Sequence, residues 1–196
     1  MKTENRYKNT IKHIKTKCCF FGIAILFSSC VTHKKLARSL PENVSAFSVD
    51  KFNGNYRNNN PRRNVYPECY DLWKALWAAH TIRSCKITAF NTTTHLTFDN
   101  NRLTVRLIEE GEIIREIVLK AKQKENYLSV KRKYFSTLLP FPFLYYSYNY
   151  KVILANTEDG NLIVKIHNEG YAGLLFFFGG DSYYTSAEFV KINNKE

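Results

Sequence analysis

His95-Leu-Thr-Phe-Asp-Asn-Asn-Arg-Leu-Thr-Val-Arg-Leu107 alternates apolar and polar residues on both sides of Asp99-Asn-Asn101. A period of two marks a strand with one buried face, and a short Asx cluster between two such runs marks a hairpin. The pattern continues downstream. Glu109-Glu-Gly111 turns into Glu112–Lys122, and Gln123–Asn126 turns into Tyr127–Tyr134. After Pro140 and Pro142 comes an aromatic run, Phe143–Leu154. Asn156-Thr-Glu-Asp-Gly160 turns into Asn161–His167, Asn168-Glu-Gly170 into Tyr171–Phe178, and Gly179-Gly-Asp-Ser182 into Tyr183–Ile192. These are eight strands from His95 onward, preceded by two shorter ones, of which Lys51-Phe-Asn-Gly-Asn-Tyr56 is the first. The expected fold is mainly β, an antiparallel meander of about 8–10 strands closed as an up-and-down barrel, with a two-sheet sandwich as the alternative. Closure removes the edge strands that would otherwise pair with other chains.

One helix interrupts this pattern. Leu72, Trp73, Leu76, Trp77 and His80 recur at helical spacing, after either Pro67 in a first turn or Asp71 as a cap. Such a stripe is read as core. Arg57–Pro67, with three consecutive Asn, reads as loop, and Val31–Asp50, rich in Ser, Pro, Asn and Lys, as a flexible tether.

The amino terminus is organised differently. Lys2, Arg6, Lys8, Lys12, Lys15 and Lys17, against the single acid Glu4, precede the apolar run Cys18–Phe27. Ten apolar residues are too few to span about 30 Å of hydrocarbon, whereas a basic n-region, a short apolar core and a small-residue exit form an export signal. Leu26-Phe27-Ser28-Ser29-Cys30 resembles the lipobox of bacterial lipoproteins, with Phe27 where Leu, Val or Ile is usual. The resemblance implies cleavage before Cys30, acylation of its sulfur (palmitate) and of the new amino terminus, and attachment to the cell envelope by two or three acyl chains. Val31 is not Asp, which under the sorting rule of enteric lipoproteins implies the outer membrane.

The expected organisation is thus a signal peptide at 1–29, a lipidated tether at 30–50 and a single β-rich domain at 51–196. The leader holds six bases against one acid, so its removal leaves 167 residues and takes the net charge from +12 to about +7. That balance and an envelope address argue against nucleic acid as a partner. Cys69 and Cys85 remain as a pair in a compartment that permits disulfides, either bridged or as two separate buried thiols. Gly54-Asn-Tyr56, before a hairpin meander, is similar to the Gly-x-Trp of lipocalin-like (calycin) barrels and implies that fold.

There is no HExxH, GxSxG, CxxC or phosphate-binding glycine loop, and no two histidines of the mature part stand at helical ligand spacing. No catalytic residue, metal site or cofactor is expected. Alternation puts Tyr146, Tyr148 and Tyr150 on one face of their strand, where an apolar ring with a polar tip suits a ligand. Leu174-Leu-Phe-Phe-Phe178 has no polar position, so it is expected to be buried or to line an interior, with Phe176 and Phe178 as further ligand candidates. Lys131-Arg-Lys133 reads as a solvated strand end that could touch lipid headgroups or anionic polysaccharide. The expected function is non-enzymatic binding of an apolar or amphipathic small ligand by a lipid-anchored envelope protein. The alternative is a structural or interaction lipoprotein that docks another envelope protein.

Overall fold

Two compact units divide the chain, Met1–Lys35 and Leu36–Glu196. A computed structural model describes residues 33–59, 71–81, 83, 85, 91–137, 144–174 and 177–192. The stretch expected to be a signal peptide, and Cys30, lie outside these residues. The elements are α1 (His33–Arg38), α2 (Val49–Phe52), β1 (Gly54–Arg57), α3 (Leu72–His80), β2 (Thr93–Asp99), β3 (Arg102–Glu109), β4 (Glu112–Gln123), β5 (Leu128–Thr137), β6 (Leu144–Asn156), β7 (Leu162–Leu174), β8 (Phe177–Phe189) and β9 (Lys191–Ile192). Among the described residues no helix is long and apolar enough to cross a membrane.

The nine strands form one antiparallel sheet in the order β8-β7-β6-β5-β4-β3-β2-β1-β9. The meander curls into a half-barrel. Its two outermost strands are consecutive in the chain, separated only by Val190, whose carbonyl accepts from the Arg57 N–H at 2.9 Å. One strand thus runs beside β7 and then, past Val190, beside β1. The tight hairpins use left-handed backbone at Asn100, Asn101, Glu110 and Gly111, which matches the right-handed twist of the flanking strands.

Helix α3 fills the concave side against β3, β4, β5 and β6. Leu72, Trp73, Ala75, Leu76 and Ala79 are buried, and the Tyr150 hydroxyl donates to the Ala75 carbonyl at 3.1 Å. Asp71 is the cap, its Oδ1 accepting from the Lys74 N–H at 3.0 Å, which resolves the two possible starts in its favour. His80, on the expected stripe, is exposed, and Trp77 is half-buried with its indole N–H donating to the Arg83 carbonyl.

Buried Asn58 fixes where the helix enters. Its Oδ1 accepts from the Trp73 N–H and the Thr94 hydroxyl, both at 2.8 Å, while its amide donates to Thr92 Oγ1 at 3.0 Å. Two residues back, Tyr56 is fully buried, donates to the Phe52 carbonyl at 2.6 Å and accepts from Asn156 Nδ2 at 3.2 Å. Burial pushes its phenol up to about 12, against the lowering effect of the Asn156 bond. Gly54 is needed there because its φ of +146 is backbone that L side chains rarely adopt, and the end of the Lys191 side chain lies over it.

Three expectations are corrected. Residues 36–50 are not a free tether. Leu36 is buried, Val44 bridges Thr157, the Ser45 N–H donates to the Asn156 carbonyl, and Phe47 packs edge-on to Phe98 at 5.8 Å. Apolar residues spaced too irregularly to show a period still find the sheet. The turns expected at 168–170 and 179–182 are interior to β7 and β8, whose register is unbroken from Leu162↔Phe189 to Leu174↔Phe177. Conversely, Leu174-Leu-Phe-Phe-Phe178 is not a buried strand. It holds the β7–β8 connection, with Leu174 54% and Phe177 79% exposed.

Candidate functional site

Cross-strand neighbours point to the same side of a sheet, so the register builds the site rung by rung. Tyr150 belongs to the core cluster and therefore marks the concave face. Its rung runs Arg132↔Tyr150↔Asn168↔Tyr183 across β5 to β8. One side-chain step toward the core lies Val130↔Val152↔Ile166↔Thr185. One step outward lies Tyr134↔Tyr148↔Gly170↔Asp181, and beyond it Ser136↔Tyr146↔Ala172↔Gly179.

The three tyrosines expected on one face are thus on it, graded from core to solvent. Tyr150 is buried, Tyr148 is half-buried and stacks on it at 6.1 Å, and Tyr146 is exposed. Phe178 pairs with Gly173 in β8. Phe176 and the side chain of Phe178 lie outside the description.

Sequence reasoning missed the polar atoms of this face. Nη1 of Arg132, Oδ1 of Asn168, Oγ1 of Thr185 and Nε1 of Trp73 are shielded from solvent, with no hydrogen-bond partner among the described residues. Buried polar groups are nearly always paired, because leaving one unmet costs about 1–3 kcal/mol. Arg132 and Asn168 share one rung and Thr185 sits in the next. Arg132 was visible in the sequence only as the middle of a basic triplet. Alternation separates it from its neighbours, with Lys131 and Lys133 on the convex face and exposed.

The convex face carries a second polar group. Glu169 Oε2 accepts from Asn149 Nδ2 at 2.6 Å and lies 3.5 Å from Lys151 Nζ, while Oε1 lies 3.3 Å from His167 Nε2. His167 is stacked on Tyr184 at 4.1 Å, and its Nε2 is 3.1 Å from Ser182 Oγ. A Ser-His-acid relay needs the acid on the ring nitrogen opposite the serine. Here both face Nε2, an arrangement that supports a structural contact over an activated nucleophile. His95 is likewise engaged, its Nδ1 2.7 Å from Asn55 Oδ1.

Cys85 carries a free thiol, half-buried against the core, and Cys69 lies outside the described residues. Among the described residues no group of three His, Cys, Asp or Glu is placed to hold a metal. A cavity of about 330 Å³ lies between residues 37–44 and the β4–β5 turn, with Leu40, Pro41, Val44, Glu125 and Tyr127 in its wall. It is half open to solvent, and none of the expected ligand residues lines it. Compared with known proteins, the chain matches no family model, no curated protein and no solved structure.

Proposed function

We propose that this chain is a lipid-anchored envelope protein that binds an amphipathic small molecule with an anionic head on the concave face of β5–β8. The observation that carries this reading is the run of shielded, partnerless polar atoms on Arg132, Asn168 and Thr185. A guanidinium on the same face as an amide and a hydroxyl suits a carboxylate or phosphate, which it can meet with two parallel hydrogen bonds. Outward from that rung the face turns aromatic through Tyr148 and Tyr146, an apolar bed for a chain leaving the head. The deeper interior is taken by α3, so the ligand's place is above the helix rather than at the bottom of a hollow barrel. Binding, rather than catalysis, is also what the His167 geometry favours.

Native mass spectrometry of the exported protein, released gently from membranes, tests this. A co-purifying mass is expected, and Arg132→Met, which keeps the side chain's length and removes its charge, should lose it. A wild-type protein free of any adduct, and unshifted in melting temperature by acyl carboxylates or acyl phosphates, would overturn the reading.

A further inference from the structure

The outer ends of the same four strands differ from the rest of the sheet. The last four rungs, counted inward from Leu144↔Leu174↔Phe177, comprise residues 135–137, 144–147, 171–174 and 177–180. None of these residues is charged. Phe135, Tyr146, Tyr171, Leu174 and Phe177 are all exposed there, Phe177 most of all. They occupy both faces, with Phe135 and Tyr171 convex and Tyr146, Leu174 and Phe177 concave. A surface apolar on both sides and at its end suits insertion better than flat docking. Glycines let the rings lie down: Tyr145 covers Gly173 and Tyr171 covers Gly180, each across one strand gap.

The order of residue types along the strands is graded. Leu174 and Phe177 are outermost. At 3.3 Å per residue, Phe135 and Tyr171 follow about 10 Å behind, and Lys133 about 17 Å behind. Lys131 is two residues further back, and both lysines are exposed on the convex face; of the acids nearby, buried Glu169 shares the rung of Lys133 and is engaged by Asn149, Lys151 and His167, while Asp181 sits on the concave face one rung outward of Lys133. Hydrocarbon-seeking side chains first, amphipathic rings next and cations last is the depth order of a bilayer interface, which interfacial segments enter by about 5–10 Å. The β3–β4 hairpin at the same end of the sheet carries Glu109, Glu110 and Glu112 instead, charges that an anionic surface repels.

From this order we infer that the uncharged end of β5–β8 inserts into the interface of a phospholipid bilayer, with Lys131 and Lys133 meeting anionic headgroups. It shares Tyr146 with the proposed ligand bed, but neither the Arg132 rung nor its shielded polar atoms take part in it.

Tryptophan emission separates insertion from simple proximity to an anchored membrane. The exported protein carrying Phe177→Trp, or Val118→Trp on exposed β4 as the control, is reconstituted in vesicles of phosphatidylglycerol and phosphatidylcholine, with wild-type emission subtracted. For Phe177→Trp, brominated lipid should quench the added emission, and iodide quenching should fall about threefold on adding vesicles, while Val118→Trp changes in neither. Lys131→Glu with Lys133→Glu should restore most of the iodide access. Equal iodide access at 177 with and without vesicles would overturn the inference even if the native mass measurement finds a ligand. Protection that is equal in pure phosphatidylcholine, or untouched by the two lysine substitutions, would overturn the headgroup contact.

Discussion

Strands β5 and β6 are each two environments joined end to end. Along β6 every residue from Tyr150 to Asn156 is buried, and none from Leu144 to Asn149 is. Along β5 burial holds for Leu128–Val130 and fails from Lys131 to Thr137. The hydrogen-bonded ladder runs through both halves without a break. The inner rungs have α3 on one side and the segment around Val44 and Phe47 at their end, whereas of the outer-half residues of β6 Tyr148 packs against that core while Tyr146 is exposed. Pairing and burial are therefore set by different parts of the chain. The strand supplies the ladder, and elements far away in sequence decide which part of it becomes core.

Substitutions can break this contrast, most strongly where the helix meets the sheet. Trp73→Ala should cost about 4 kcal/mol in urea unfolding, because a large buried side chain leaves a cavity the sheet cannot collapse into. At the boundary between the halves, Glu169→Ala removes the carboxylate 3.5 Å from the buried Lys151 ammonium and should cost about 3 kcal/mol. Recovery of most of that loss by the double variant Glu169→Leu, Lys151→Met would show that the charge, not the packing, was at fault.

The inner half should also carry a pH signature. The Tyr56 phenol titrates higher folded than unfolded, so its contribution is fully present below about pH 10 and is lost as pH rises toward about 12, a change of about 2–3 kcal/mol. Tyr56→Phe should flatten that part of the unfolding profile, and an equal slope in the variant would refute the assignment. Burial lowers the Lys165 and Lys191 ammonium groups, which act in the opposite sense below their ordinary range, so the difference between wild type and Tyr56→Phe is the quantity to read.

The outer half should respond least. Gly173→Val pushes the Tyr145 ring off the sheet and should cost about 1 kcal/mol. Phe177→Ser should stay within about half a kcal/mol of wild type in the same assay, since the side chain is exposed.

Much of the inner half was legible in sequence. Period-two runs around Asp99-Asn-Asn101 and Glu109-Glu-Gly111 became β2–β4 with turns in left-handed backbone, as Asx and Gly chemistry requires. The helix was readable because its stripe has one period and Asp71 stands where a cap belongs. The outer half was misread for one physical reason. Gly170 and Gly180 look like turn residues, yet within β7 and β8 they serve as flat ground beside tyrosine rings, with the Tyr146 hydroxyl 3.7 Å from where a Gly170 Cβ would sit and the Tyr171 ring over Gly180. Glycine for a turn and glycine for a ring are the same letter, and only cross-strand register separates them. The partnerless atoms of Arg132 and Asn168 were invisible for the same reason, since they share a rung only through two strand pairings.

The one-residue join at Val190 bears on the order of assembly. Every neighbouring pair from β2 to β8 is linked by a connection short enough to close as soon as both strands exist, whereas β1 gains its second neighbour only when Asn55 meets Ile192. Closing so long a loop is slow. If the chain is delivered amino end first, the meander can zip up progressively, but β1 stays half-paired until β9 has arrived. A protein built this way keeps that edge open until its ninth strand is in place.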